Sequence, residues 1–316
     1  MSAASCPSVK QNPVRGMSHL LTVQDKPDPV GARHLCAQLE AGDIIYFPRT
    51  PFEFPEDDLR FLLSRKQTDA AFHKNIAFRP AADRVTGLDE SAGPDKDRLR
   101  AILRDYSRRS AQFLDDFLSP YAGKWKLDFA SYRPLEERGR PARLRARNDL
   151  PHVDAFPTRP TNGDRILRLF TNINPSQNRV WVTSQTFDVI APRFAKAIGL
   201  PRPLSTNALV RAFRKIASAA GFPGANRSPY DDFMHRCHNA MKENAEFQTS
   251  CAKQRWEFPP YSTWIVFTDF VSHAVLEGRY AMEQTFIVSR QAMVRPEISP
   301  AAILEDLAGY PLTKPN

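Results

Sequence analysis

The 316-residue sequence has only four cysteines, and their spacing fits no common cysteine chemistry. Cys6, Cys36, Cys237 and Cys251 are too few and too irregular for a disulfide framework, and none forms a CxxC zinc pair. No stretch approaches the ~20 consecutive apolar residues that a membrane-spanning helix needs. The start, MSAASCPSVKQNPVRGMSHLLTV, lacks an apolar core of signal-peptide length. The expectation is a soluble cytoplasmic protein whose membrane contact, where it has any, is peripheral. Acidic residues are outnumbered: 35 Asp and Glu stand against 44 Lys and Arg, a formal net charge of +9. Such a surface favours anionic partners, among them nucleic acid, lipid headgroups and phosphorylated or carboxylated glycolipids. Nucleic acid is the least favoured, because the densest basic run, ERGRPARLRARNDL, has no interleaved aromatics and matches no known binding module. No nucleophile motif is present.

What is there is enough apolar residue, 42%, for one large domain or a domain with an elaborate insertion. Residues 1–32, polar and rich in Pro and Ser, are expected to be loosely ordered, and 33–316 to form one domain. Gly42-Asp43 turns into a short strand over Ile44–Phe47, and Pro55 opens a helix with acidic residues in its first turn. A further β-like piece spans 73–80. Leu99, Ile102, Leu103, Tyr106, Phe113, Leu114 and Phe117 recur at helical spacing within Asp95–Leu118, which predicts a helix buttressing the outside of a sheet. Strands are expected over Trp125–Arg133, Ile166–Ile173 and Arg179–Ser184. Helices over Phe187–Ile198, Asn207–Ala220 and Tyr230–Phe247 then interrupt the β pattern, and one more covers Pro300–Ala308.

The central stretch is Asn148–Asn174, and its kernel is His152-Val153-Asp154. On an extended strand alternate side chains share a face, so an imidazole and a carboxylate point the same way. A second histidine would complete the two-His-one-carboxylate set that leaves three metal positions open, as in non-haem Fe(II) oxygenases. His273 is the candidate. It follows a buried alternating run, Trp264–Phe270, and precedes the Glu277-Gly278 turn and a returning strand to Val288. A bare His-x-Asp is also what a polar pair at a strand end looks like. Here the Pro-rich loop, the Asn162-Gly163 turn and the dense β-prone run after it place the pair where an antiparallel barrel presents functional groups. Arg143, Arg145 and Arg147 would share a face on a strand beside it, and guanidinium forks suit carboxylates and phosphates; an edge strand protected by charge would look the same. Arg165 and Arg168, three apart on a strand, face opposite ways, so one is expected to reach the cavity and the other to serve structure. His235, Cys237, His238 and Cys251 invite a zinc reading, but Cys237 points away from the two histidines on a helix.

The blocks HVDAFPTRP, GDRILRLFTNINP, VWVTS and SHAVLEGRYAMEQTF resemble the bacterial Kdo hydroxylases, Fe(II)- and 2-oxoglutarate-dependent dioxygenases acting on 3-deoxy-D-manno-oct-2-ulosonic acid (Kdo) in lipopolysaccharide precursors. The resemblance covers about Asp43 to Val288. It implies an α+β protein with a double-stranded β-helix (jelly-roll, cupin-like) core, flanking helices and a helical insertion at about 187–255. His273 lies 119 positions after Asp154, which is the reason such an insertion is needed. The resemblance also implies Fe(II) held by His152, Asp154 and His273, with 2-oxoglutarate and O2 as co-substrates. The product would be Ko, hydroxylated at C3, with release of succinate and CO2. We assign Arg279 and Arg168 to 2-oxoglutarate, and Arg145, Arg147 and Arg165 to the substrate, Kdo on a lipid A precursor at the cytoplasmic face of the inner membrane. Two rivals stand beside this reading: an oxygenase acting on another substrate, and a metal-free cupin-like sugar-binding module.

Overall fold

A computed structural model describes residues 16–64, 76–88, 93–203, 216 and 227–315. The strands are β1 (Leu20–Thr22), β2 (Ile44–Phe47), β3 (Ile76–Arg79), β4 (Arg84–Thr86), β5 (Trp125–Arg133), β6 (Arg165–Asn172), β7 (Arg179–Thr186), β8 (Gln254–Phe258), β9 (Thr263–Phe267), β10 (Val271–Glu277) and β11 (Ala281–Val288). The helices are α1 (Pro29–Glu40), α2 (Glu56–Ser64), α3 (Gly93–Phe117), α4 (Phe187–Ile198), α5 (Pro229–Glu243), α6 (Ala245–Ser250) and α7 (Pro300–Ala308). A large sheet runs β1-β2-β9-β6-β11-β5-β3-β4, antiparallel except for the β1–β2 pair; a small antiparallel sheet runs β10-β7-β8. The two face each other as a jelly-roll-like core.

Register decides what each face carries, because residues directly opposite in a ladder share a side. Phe170 lies opposite Trp264 and Glu283, and Arg168 opposite Val266 and Thr285. These side chains all face the small sheet. From that sheet Trp181 and Phe258 answer: Trp181 meets Phe170 at 4.7 Å and Trp264 at 5.4 Å, and Phe258 stacks on Trp264 at 3.9 Å. Burying side chains of this size contributes about 1.5–3 kcal/mol each, so this aromatic layer is the main adhesive between the sheets. The outer face of the large sheet is packed by α3 chiefly at β5, with Tyr106 Oη reaching β6 at 3.1 Å from Thr171 Oγ1; the α3 apolar stripe is buried except for the half-buried Phe113.

Several expectations change. The segment to residue 32 joins the fold from Gly16 onward: β1 pairs with β2, and Asp28 caps α1 by accepting from Gly31 N. Arg143–Arg147 is not a strand. It forms a single 3-10 turn over Leu144–Ala146, so these arginines share no strand face. The run to Phe270 breaks after Phe267, and His273 sits inside β10 instead of beyond a strand end. The helix over Tyr230–Phe247 splits at Asn244, which ends α5 and caps α6 with its side chain. The Pro-rich return at 256–260 is largely β8. The helix expected over Asn207–Ala220 lies outside the described residues apart from Ile216. α4, α5 and α6 fill the interval between β7 and β8, where an insertion was expected.

Candidate metal and co-substrate site

His152 and His273 meet as a lone antiparallel bridge, each donating its backbone N–H to the other's carbonyl, at 3.1 and 2.9 Å. Asp154 N donates to Thr268 O at 2.7 Å, which keeps the segment extended for two more residues. The alternation read from sequence therefore holds: His152 Nε2 is 3.8 Å from Asp154 Oδ1, and His273 Nε2 is 3.9 Å from Asp154 Oδ2. All three residues are buried.

The histidines arrive with their tautomers fixed. His152 Nδ1 lies 2.7 Å from Leu150 O and His273 Nδ1 lies 3.0 Å from Val271 O. A carbonyl can only accept, so each Nδ1 carries the proton and each Nε2 presents a lone pair toward Asp154. Trp181 stacks on the His273 ring at 5.2 Å and 17°, pinning its plane. Burial, with nearby Lys242, His273 and His238, pushes His152 well below the usual imidazole range, and burial lowers His273 as well against the opposing pull of Asp154. Both rings are thus neutral and able to ligate at neutral pH. Burial alone would raise the Asp154 carboxyl, but the Arg168 guanidinium beside it outweighs burial and holds the group ionised.

A third histidine, weighed above only for the zinc reading, reaches the same place from the insertion. His238 on α5 lies 4.8 Å ring to ring from His152, and its Nδ1 is 2.8 Å from Val153 O. His152, Asp154 and His238 offer ligand atoms within 4.8 Å of one another. Its only sequence signal was a histidine in a helix that the long ligand spacing required. The zinc reading fails: Cys237 is fully buried in the core, its thiol pushed up to about 12 by burial.

The arginines divide. Arg168 enters the site, with Nη1 3.3 Å from Asp154 Oδ2 and 3.2 Å from Glu283 Oε1. Arg165 points the other way, into the core, and pairs with Asp269. Arg279 is exposed in the turn between β10 and β11 and packs on Tyr280 at 4.6 Å, away from the site. Arg145 pairs with Glu243 and Arg147 with Asp149, both at 2.5 Å on the surface. Sequence reasoning missed Arg133 and Arg179. Arg133 Nε bonds Glu283 at 2.9 Å, and Arg179 Nη1 donates to Gly278 O at 3.0 Å. Burial pushes Arg179 down to about 10, so it remains a cation. Arg133 shares the face of Arg168 through the β6–β11–β5 ladder, a pairing that the local sequence does not announce, and Arg179 comes from the other sheet, to which no ladder leads.

Buried polar atoms without partners test whether a metal and a dicarboxylate fit. Asp154 Oδ2, Arg168 Nε, Arg179 Nε and Trp181 Nε1 are all buried without a hydrogen bond. Each such atom costs about 1–3 kcal/mol; Arg168 lies against Asp154 and Trp181 stacks on His273, so their free groups are placed to meet guests. The carboxylate and imidazole lone pairs suit a cation; the guanidinium and indole N–H groups suit an anion. The residues fit both.

Comparison with known proteins agrees. A family model for 3-deoxy-D-manno-oct-2-ulosonic acid (Kdo) hydroxylase matches residues 22–311. The crystal structure of the Kdo hydroxylase KdoO, a non-haem Fe(II) α-ketoglutarate-dependent dioxygenase, in complex with α-ketoglutarate and Fe(III), is similar at TM-score 0.80 and 30% identity, over 93% of this chain and 97% of that one. Its cobalt(II) complex gives TM-score 0.81 and 30% identity, over 94% and 98%. Its complex with succinate and Fe(III) gives 0.79 and 30%, over 94% and 98%. No curated protein matched the sequence. Fold and site define a non-haem Fe(II)- and 2-oxoglutarate-dependent dioxygenase. Within that class, the chain belongs to the Kdo hydroxylase family.

Proposed function

We propose that His152, Asp154 and His273 hold Fe(II), and that the enzyme hydroxylates C3 of Kdo carried on a lipid A precursor, giving Ko. Bound Fe(II), with 2-oxoglutarate and O2, supplies the oxidant that replaces C–H by C–OH, while 2-oxoglutarate leaves as succinate and CO2. The observation that carries the ligand assignment is the paired geometry of His152 and His273, bridged to each other and each back-bonded at Nδ1. Both stand on sheet-bonded backbone, whereas His238 is only partly buried and comes from a helix. His238 is assigned to the space beside the metal, where its Nε2 can hold or pass a proton.

Arg168, Arg133 and Arg179 are assigned to the carboxylates of 2-oxoglutarate in place of Arg279. Charge-assisted bonds from a planar fork are strong and directional, and in a buried site they fix the co-substrate's orientation. The closed jelly-roll interior limits water at the reacting centre. No helix among the described residues is long and apolar enough to cross a membrane. Peripheral docking on the cytoplasmic face of the inner membrane, aided by the net charge of +9, is the proposed route to the glycolipid. The metal-free sugar-binding alternative loses support from membership of a hydroxylase family.

The test is anaerobic titration with Fe(II) and 2-oxoglutarate, reading the weak visible band of the chelate, followed by turnover on Kdo-lipid A. The band should vanish in His152→Ala and His273→Ala and persist in His238→Ala. A band that survives His273→Ala but not His238→Ala would exchange their roles. Succinate release that never requires a Kdo acceptor would move the substrate elsewhere.

A further inference from the structure

The row of the large sheet that carries Arg168 continues outward past the metal ligands. Arg168 lies opposite Thr285, and a register shift in β5 brings Asp128 and Phe129 to the same level. One step beyond the Phe78–Ala130 pair, β3 places Arg79 beside Phe129. The Arg79 guanidinium carbon sits 5.0 Å from the Phe129 ring. Arg159, from the loop after Asp154, sits 4.0 Å from both the Phe129 and Phe156 rings. Phe156 in turn lies 5.5 Å from Arg168. Guanidinium and ring therefore alternate from the sheet edge to the metal ligands: Arg79, Phe129, Arg159, Phe156, Arg168.

The inner end of this series is neutralised, since Arg168 lies against Asp154 and Glu283. The outer end is not. Asp128 pairs with Arg159, but the Arg79 side chain makes no hydrogen bond or ion pair among the described residues, and its Nε is buried. Arg79 is half-buried with its Nε enclosed, and the one contact among the described residues that answers its charge is the cation–π contact with Phe129, worth about 0.5–2 kcal/mol. Two guanidinium groups share one carboxylate on a partly buried wall, Arg159 one ring and Arg79 two rings from Arg168, and a further anion with two oxygens suits their forks.

We propose that Arg79 and Arg159 form the subsite for the carboxylate of the sugar acid. This rests on the function proposed above. In an oct-2-ulosonic acid the carboxylate is C1, bound to C2, which adjoins the 3-deoxy carbon. The anion must therefore lie close to the reacting centre, where Arg159 stands one ring from Arg168 and Arg79 stands behind it across Phe129. The phosphates of lipid A offer the same chemistry but sit on other sugars of the glycolipid, farther from C3.

The experiment compares the methyl glycoside of Kdo with its C1 amide, which removes the charge and keeps the shape. Binding is read anaerobically, from the perturbation of the Fe(II)–2-oxoglutarate visible band, in wild type, Arg79→Gln and Arg159→Lys. Wild type should prefer the acid at least tenfold. Arg79→Gln, which orphans no carboxylate, should bind acid and amide alike with its own Fe(II)–2-oxoglutarate band unchanged. Arg159→Lys, which keeps a charge beside Asp128, should lose part of the preference. An Arg79→Gln enzyme that still prefers the acid, or that loses both ligands equally, overturns the assignment. So does a wild type indifferent to the amide but weakened by removing the acceptor's phosphates. A wild type that hydroxylates no Kdo acceptor at all overturns the proposed function itself, a result separable from any behaviour of the variants.

Discussion

Replacing Arg165 by Met separates structure from function at the residue where sequence and structure disagree most. Arg165 is completely buried, as is its partner Asp269. Nε lies 2.9 Å and Nη2 3.3 Å from the two carboxylate oxygens, and the guanidinium packs 4.1 Å from the Phe267 ring. Met fills most of the volume but leaves Asp269 as an uncompensated buried charge, and breaking such a pair costs about 3–5 kcal/mol. Against a typical total of about 5–15 kcal/mol, the variant should fold but with a much lower urea midpoint. The cost should depend on pH with a definite sign. Burial already raises the Asp269 carboxyl while Arg165 opposes it, so losing Arg165 raises it further. The unfolded Asp is ionised above about pH 4, so a raised folded value means stability is lost as pH rises and recovered as it falls through that value. Arg165→Met should therefore be hurt more at pH 8 than at pH 5.5. Arg165→Met with Asp269→Leu, which removes both charges, should recover most of the loss. Activity per folded molecule, measured at low temperature, should stay near wild type. A variant as stable as wild type but inactive on the Kdo acceptor would refute the structural assignment and return Arg165 to the substrate.

The other arginines give complementary outcomes. Arg168→Met should weaken 2-oxoglutarate binding by roughly ten- to a hundredfold, the value of about 1.5–3 kcal/mol for bonds to a charged group. Arg279→Ala should change it less than twofold, and the anaerobic titration reads both. Arg145→Ala and Arg147→Ala remove surface pairs that solvent already screens, so KM for the acceptor and the melting temperature should hold; a raised KM for either would restore its substrate role. The metal-free protein should lose stability as pH falls below about 6.5. Burial, with Lys242 adding to it, depresses His238 to about 4, and His152 and His273 are depressed as well, so the unfolded chain takes up protons that the folded one refuses. His238, which keeps some solvent contact, accounts for at most ~3 kcal/mol between those limits. Urea titrations at pH 8 and pH 5 should show a smaller difference in His238→Gln, and an identical difference would dismiss the effect.

Much of this was legible in local pattern. The strand over Trp125–Arg133 and the helices over Phe187–Ile198 and Pro300–Ala308 fall at the expected bounds, because alternation, caps and prolines are written in adjacent residues. The opposite facing of Arg165 and Arg168 followed from strand parity. Pairings across distant segments were not legible. Nothing near Arg133 says that β11 will place Glu283 and Arg168 next to it, and nothing near His238 says that α5 will bring it over the His152 ring. Arg279 was chosen for its distance along the chain after His273, but the tight turn holds it out in solvent. Arg143–Arg147 misled for a related reason: alternating arginines look like a strand face, and a single 3-10 turn removes the alternation.

The distribution of charge across the sandwich shows why the site lies where it does. Along β6, the inner side chains Phe170 and Arg168 are successive members of one face, yet the first packs among Trp181 and Trp264 and the second lies against Asp154 and Glu283. The interior thus changes from a dry aromatic layer to a charged chamber within two residues. Trp181 marks the boundary, one ring serving both halves: it packs on Phe170 and Trp264 and also stacks on His273. Rigidity of the aromatic half is therefore transmitted directly, not through a loop, to His273, the proposed metal ligand. A histidine held by packing and by its own backbone bond loses little freedom when it takes up a ligand, and that pre-ordering is what lets a proposed metal ligand such as His273 hold its place while co-substrate and oxygen bind.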